Sequence, residues 1–317
     1  MCIGCKWFYA ILLMLSVADT SFVAAETDQD SSRQELFATV PYAPNRPTPF
    51  FAPQLFRFPS DARDDSVFGI DVSHYTEDNC KCMPNWDEIA SQKVRFVYLK
   101  ATESTTILDP SLVTVIPTLR KADKLNIGFF HFFSERADAE KQAQYFLSAI
   151  GQIQPQDLPP GLDLEMDLTS NLAGCPTTAV YAQRKNGHIT KKCDMWGRLS
   201  SQQIIERANI WLDDVKKATG RDPIVYTLSS WWDVRIGAKT SLKSLHASLV
   251  WIADGDQTRV QNETPKVPGD GPWDLWQFTS TAHVASDGRV LKVDASVYHG
   301  NLSDMMKRLG IKDARQR

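Results

Sequence analysis

The sequence predicts an α/β fold, an irregular TIM-like (β/α)8 barrel forming a single folded domain. Three observations carry that prediction. Eight short runs rich in β-branched and aromatic residues are spread between residues 66 and 296. Helical stripes fill several of the gaps, and strands that alternate with helices form parallel sheets. The span 66–311 also matches the roughly 250 residues typical of such a barrel.

Residues 1–25 precede this pattern. Lys6 stands before the apolar run "WFYAILLMLSVA" (7–18), and small residues follow as far as Ala25. A short positive region, an apolar stretch and a small-residue cleavage site predict a signal peptide over 1–25. The run is shorter than the roughly 20 apolar residues of a membrane span, so no stable span is expected once the signal is removed. An uncleaved anchor is the alternative. No Cys follows the apolar run closely enough to take a lipid. The expected location is secreted or periplasmic. Residues 26–65 carry Pro41, Pro44, Pro47, Pro49, Pro53 and Pro59 with little apolar periodicity, which predicts an extended linker or arm. The aromatic stretch "PFFAPQLFRF" (49–58) could instead dock on the body.

The predicted strands are "SVFGIDVS" (66–73), "VRFVYLKA" (94–101), "NIGFFHFF" (126–133), "PGLDLEMD" (160–167), "PIVYTL" (223–228), "SLVWIA" (248–253), "WDLWQFT" (273–279) and "VLKVDAS" (290–296). Between them, Leu112, Val115, Ile116 and Leu119 recur at i, i+3, i+4 and i+7, as do Ala143, Phe146, Leu147 and Ile150. The longest stripe is Ile204, Ala208, Trp211, Leu212 and Val215. Serines at 200–201 could cap it and Gly220 could stop it. Connections 254–272 and 280–289 are too short or too rich in Gly and Pro for full helices, so the barrel is expected to be irregular there. Residues 171–199 hold Gly174, Pro176, Gly187, Gly197 and two cysteines, and read as a long disulfide-braced loop. After a short C-terminal helix, 312–317 form a basic tail.

The 317 residues are 43% hydrophobic and 23% charged with net charge −3, which gives no argument for a nucleic-acid or anionic-membrane partner. Outside the signal, Cys80, Cys82, Cys175 and Cys193 form an even set. In an exported chain that suggests two disulfides. Bridges from the 80–82 pair to Cys175 and Cys193 are favoured, and a local Cys175–Cys193 loop is the other natural pairing. A four-cysteine zinc site is the rival reading. The sequence carries no oligomeric signal, and a monomer is expected.

The chemistry concentrates at the strand ends. In "GLDLEMD" (161–167), Asp163, Glu165 and Asp167 alternate with Leu162, Leu164 and Met166, so a strand there turns an acidic face one way and an apolar face the other. Barrel active sites lie at the C-terminal ends of the strands. Those ends supply Asp71, Lys100, Glu103, His131, the 163–167 acids, Tyr226, Asp254, Gln277 and Asp294, with aromatics nearby. Carboxylates in an aromatic-lined cleft suit carbohydrate hydrolysis. One protonates the leaving oxygen, others face an oxocarbenium-like charge, and flat rings meet sugars.

Eight segments in chain order, "GIDVSHY", "VYLKATES", "GFFHFF", "GLDLEMD", "IVYTLSSWW", "LVWIADGD", "LWQFTS" and "VDASVYHG", resemble glycoside hydrolase family 25 over about residues 66–303. The resemblance implies a flattened barrel and a lysozyme activity that cleaves the N-acetylmuramic acid to N-acetylglucosamine bond of peptidoglycan. Net retention is implied, with no metal and no cofactor. It places Glu165 as general acid and Asp163 as assisting carboxylate, with Asp71 and Asp294 flanking the sugar. It places Tyr226 and Trp232 along the cleft, with Lys100, Glu103 and His131 also matching, and the ring of Trp276 is read as a cleft residue. The chain has Ser104 where Gly is frequent in this family, and the 171–199 segment lies outside the common pattern. Bland alternatives stand beside these: His131 as a satisfied core histidine, Lys100 as a neutraliser of the acids, and Asp167 as a rim or cap residue. A non-catalytic glycan-holding barrel is the second function class, and a metal-dependent hydrolase the third.

Overall fold

The computed structural model describes residues 50–51, 55–56, 65–76, 82–185 and 188–314. The expected signal peptide, most of the arm, Cys80 and the end of the basic tail lie outside the described residues. Eight strands close a barrel: β1 (Ser66–Val72), β2 (Val94–Glu103), β3 (Asn126–Phe132), β4 (Gly161–Asp163), β5 (Ile224–Leu228), β6 (Leu249–Ala253), β7 (Leu275–Ser286) and β8 (Arg289–His299). Neighbours run β1-β8-β7-β6-β5-β4-β3-β2, and parallel pairing of β1 with β2 completes the circle. Closure leaves the barrel strands without an open edge. In the arm, Phe50–Phe51 and Leu55–Phe56 make a short antiparallel ladder.

Strands β1 to β7 are parallel to their neighbours, whereas β8 is antiparallel to both β7 and β1. The parallel sheet expected from the strand–helix alternation therefore fails at its last member. The cause is local. Asp287 (φ 50°) and Gly288 (φ 71°) both take left-handed conformations, so the chain reverses in two residues instead of crossing over a helix. The resulting hairpin runs past the barrel mouth and is tied to α1 (Trp86–Ser91) at its tip. The Gln92 amide brackets Ala285, donating to its carbonyl at 2.8 Å and accepting from its N–H at 2.8 Å. The Asn85 N–H donates to Ser286 Oγ at 2.7 Å.

The helices form where the periodicity places them. α2 (Pro110–Ala122) starts with Pro110 behind the cap Asp109 and buries Leu112, Val115 and Leu119. α3 (Ala139–Ile150) buries Ala143 and Phe146. α4 (Ser201–Thr219) opens with a reciprocal Ser200–Gln203 capping box and ends at left-handed Gly220; Ile204, Ala208, Trp211, Leu212 and Val215 are all buried. α5 (Leu302–Leu309) closes the chain. Inside the barrel, Tyr98 of β2 meets Trp251 of β6 at 4.6 Å between ring centroids. The ring needs glycine opposite it: a Cβ on Gly128 would lie 2.3 Å from the Tyr98 ring.

Residues 171–199 are not a loop. Leu168–Thr169, Val180–Lys185 and His188–Asp194 form a three-stranded antiparallel sheet with His188–Asp194 in the middle. The Asn-Gly pair at 186–187 of the sequence is the hairpin signal that matches this arrangement. Cys175 and Cys193 are bonded to each other, so the favoured pairing of these two with Cys80 and Cys82 does not occur; Cys82 is itself disulfide-bonded. Proximity decides it, since 18 residues of sequence place the two Cα atoms 5.9 Å apart across the insertion.

Candidate active site

Asp71, Asp163, Tyr226, Gln277 and Asp294 share the upper end of the barrel. Asp294 lies directly opposite Asp71 in the antiparallel β8–β1 ladder. It thus reaches the mouth from the middle of β8 rather than from a strand end. Asp163, the last residue of β4, is in register with Phe132 on one side and Tyr226 on the other. Residues in register on neighbouring strands face the same side. The Tyr226 hydroxyl reaches inward to the Gln277 side chain, so Asp163 faces inward too.

Gln277 is the hub of this layer. Its Oε1 accepts from the Tyr226 hydroxyl at 2.9 Å, which leaves Nε2 to donate to Asp71 Oδ2 at 2.9 Å and to Asp294 Oδ2 at 3.3 Å. One neutral amide therefore holds two carboxylates side by side without adding charge. Gln277 is legible as the polar residue set between Trp276 and Phe278, yet its role as a bridge depends on four strands meeting, which a single segment cannot reveal.

Glu165 is fully buried and Asp163 nearly so, at 0% and 1% exposure. β4 ends at Asp163, so the expected strand over 160–167 is cut short and the two-residue alternation does not extend to 167. Asp167 is drawn aside into the chain after β3. It accepts from Ser134 Oγ at 2.8 Å, from the Glu135 N–H at 3.0 Å and from Arg136 Nη2 at 3.0 Å. Burial pushes its pKa up, against the opposing pull of Arg136 and Ser134. Asp167 is thus a buried organiser of the 134–136 turn rather than a rim residue.

Lys100 and Glu103, near the end of β2, form a buried ion pair at 2.9 Å. Arg136 continues the chain of alternating charge, 3.7 Å from Glu103 and 3.0 Å from Asp167. The Lys100 ammonium also sits 5.4 Å from the centroid of the Phe132 ring. Burial alone would raise the Asp109 pKa. Hydrogen bonds from His74 and Ser111, with the charge of Lys100, outweigh it and hold that carboxyl below its ordinary value.

Three expected cleft residues lie elsewhere. His131 points out of the barrel, stacked on Trp211 at 5.7 Å, with its ring nitrogens bonded to Thr102 at 2.7 Å and Gln142 at 3.1 Å. Desolvation lowers its pKa to about 3, so the ring is neutral. Trp232 and Trp276 are fully buried, with indole N–H groups donating at 2.8 Å to the carbonyls of Thr240 and Asp254. All three rings are buried and hydrogen-bonded within the protein. Ser104 carries φ 52°, a left-handed conformation that glycine takes without strain. Among the described residues, no group of three His, Cys, Asp or Glu side chains could hold a metal ion.

An α/β barrel whose mouth gathers acids from its first, fourth and eighth strands is the architecture of a glycoside hydrolase. The chain belongs to the glycosyl hydrolases family 25, whose family model matches residues 70–287. It is similar to lysozyme M1 of Streptomyces globisporus, 27% identical over 248 residues covering 76% of this chain and 70% of that protein. It is 28% identical to the N,O-diacetylmuramidase of Arthroderma benhamiae over 235 residues, 73% of this chain and 84% of that one. Among solved structures, the lysozyme from Streptomyces coelicolor aligns with a TM-score of 0.58 at 26% identity, covering 79% of this chain and 99% of its own. The family 25 lysozyme from Aspergillus fumigatus aligns with a TM-score of 0.57 at 22% identity, covering 77% and 99%, and shares the fold.

Proposed function

We propose that this glycoside hydrolase is an N-acetylmuramidase that cuts the β-1,4 bond between N-acetylmuramic acid and N-acetylglucosamine in peptidoglycan. The observation that supports the reading is the set Asp71, Asp163 and Asp294 at the barrel mouth, with the buried carboxyl of Glu165 two residues beyond Asp163. The similarity to a lysozyme and an N,O-diacetylmuramidase supports the same reading.

In this reading Glu165 donates its proton to the glycosidic oxygen as the bond from the muramic acid C1 breaks. The substrate's own acetamido oxygen attacks C1, and Asp163 orients that group and offsets the positive charge it acquires. Water then adds to C1 while the Glu165 carboxylate takes its proton, which restores the acid and gives net retention. Asp71 and Asp294, held by Gln277, shape the field around the pair. Lys100, Glu103 and Tyr226 line the cleft. The Cys175–Cys193 bond supports an oxidising, secreted or periplasmic location.

Glu165→Gln tests the assignment. Clearing of purified cell walls should fall by about three orders of magnitude or more, the scale of general acid–base catalysis, with an unchanged circular dichroism spectrum. A folded Glu165→Gln protein that still clears walls at a tenth of the wild-type rate contradicts it. Wall binding without cutting by both proteins would instead favour a glycan-holding barrel.

A further inference from the structure

We infer that Asp194, in the disulfide-braced insertion, is a positioning residue for Glu165, so that the insertion is part of the catalytic scaffold. The inference rests on the reading of Glu165 as the general acid.

Because β4 stops at Asp163, Glu165 sits on the segment 164–167, which no barrel ladder holds. One end of that segment is tied to the barrel: the Leu164 N–H donates to the Tyr226 carbonyl at 3.0 Å. The other end is tied to the insertion. The Asp167 N–H donates to Asp194 Oδ1 at 3.2 Å, and the Met195 N–H donates to the Asp167 carbonyl at 2.9 Å. Just beyond, Leu168–Thr169 pairs with Cys193–Asp194.

Asp194 is built to keep its place. It is fully buried and accepts four hydrogen bonds. Oδ1 takes the N–H groups of Asp167 and Trp196, each at 3.2 Å; Oδ2 takes Trp231 Nε1 at 2.9 Å and Arg235 Nε at 2.6 Å. Trp231 and Arg235 lie just after β5, where a single α-helical turn passes into a π-helical one over Asp233–Gly237. Such turns often mark functional positions. Arg235 also donates to the Thr178 carbonyl at 3.2 and 3.3 Å and sits 5.8 Å from the Tyr181 ring. The carboxylate therefore joins three pieces: the segment bearing Glu165, the turn after β5 and the insertion, whose strand is cross-linked next door at Cys193. A buried carboxylate with four donors resists displacement, and proton delivery is sensitive to displacement on the ångström scale.

A purely structural role and a positioning role differ in one readout. A nitrophenolate leaving group departs with little proton help, whereas a sugar alkoxide needs the acid. Turnover of peptidoglycan is therefore compared with turnover of the β-nitrophenyl glycoside of N-acetylglucosaminyl-N-acetylmuramic acid. Asp194→Asn keeps the shape and removes the charge; Trp231→Phe keeps an aromatic ring and removes one donor, and it decides the matter should Asp194→Asn not fold. The expectation for Asp194→Asn is a loss of kcat on peptidoglycan of about tenfold or more. KM should stay within about twofold and the loss on the aryl glycoside should be about threefold or less, with Trp231→Phe smaller in the same sense. Equal losses on both substrates, or none on either, overturn the inference. Glu165→Gln run alongside separates the two readings. If it loses peptidoglycan turnover while Asp194→Asn shows no selective loss, only the positioning role falls. If it retains peptidoglycan turnover, the Glu165 assignment falls and the positioning role with it.

Discussion

Gln277 shows how much one side chain can decide at a barrel mouth. Its amide satisfies two carboxylates and a phenol, none of which lies on its own strand. Gln277→Leu removes all three bonds from a buried site and should cost roughly 1–3 kcal/mol of stability for the groups left short. Urea unfolding would read that loss. Ser104 makes the opposite prediction. A non-glycine residue in the left-handed region costs about 1 kcal/mol or more, so Ser104→Gly should raise stability by up to about that amount. An unchanged or lowered urea midpoint would contradict it. His131 predicts a pH dependence. Its folded pKa of about 3 lies below the ordinary 6.5, so the unfolded chain binds a proton that the folded one refuses. The contribution is fully present above pH 6.5 and is lost as the pH falls toward 3, at up to about 1.4 kcal/mol per pH unit. His131→Phe should be less stable at pH 7, having lost the bonds to Thr102 and Gln142. Its unfolding free energy should nonetheless fall less steeply between pH 6.5 and 4.5 than that of wild type.

At the scale of elements, what was legible in the sequence divides along a physical line. Helices α2, α3 and α4 follow from periodicity and caps because the pattern and the boundary signals lie within each segment. Features that depend on partners were not legible. β4 yields its second half because Asp167 is drawn to Ser134 and Arg136, residues more than thirty positions away. The insertion becomes a sheet because its strand edge pairs with Leu168–Thr169. The reversal of β8 was written locally, in Asp287-Gly288, and could have been read as a hairpin turn. The candidate acids were legible as types and spacings, whereas the burial of His131, Trp232 and Trp276 was not. The braced insertion gives its own prediction. Cys175→Ser with Cys193→Ser should destabilise by about 3 kcal/mol on chain-entropy grounds, read as a lowered Tm. A peptide map of the oxidised protein should show these two cysteines linked to each other.

For the whole molecule, the closed barrel packs Tyr98, Trp251 and Tyr226 against one another and buries charged side chains as well. Lys100, Glu103, Arg136 and Asp167 form a chain of alternating signs that neutralises itself, so two buried carboxylates coexist with two cations. The proposed muramidase cuts glycan strands on the muramic acid side. The direct measurement is to digest purified peptidoglycan with the wild-type enzyme, reduce the products with borohydride and identify the reduced end by mass spectrometry. Muramitol ends should accumulate with time and be absent with Glu165→Gln. Glucosaminitol ends, or muramitol ends formed equally by Glu165→Gln, would contradict it.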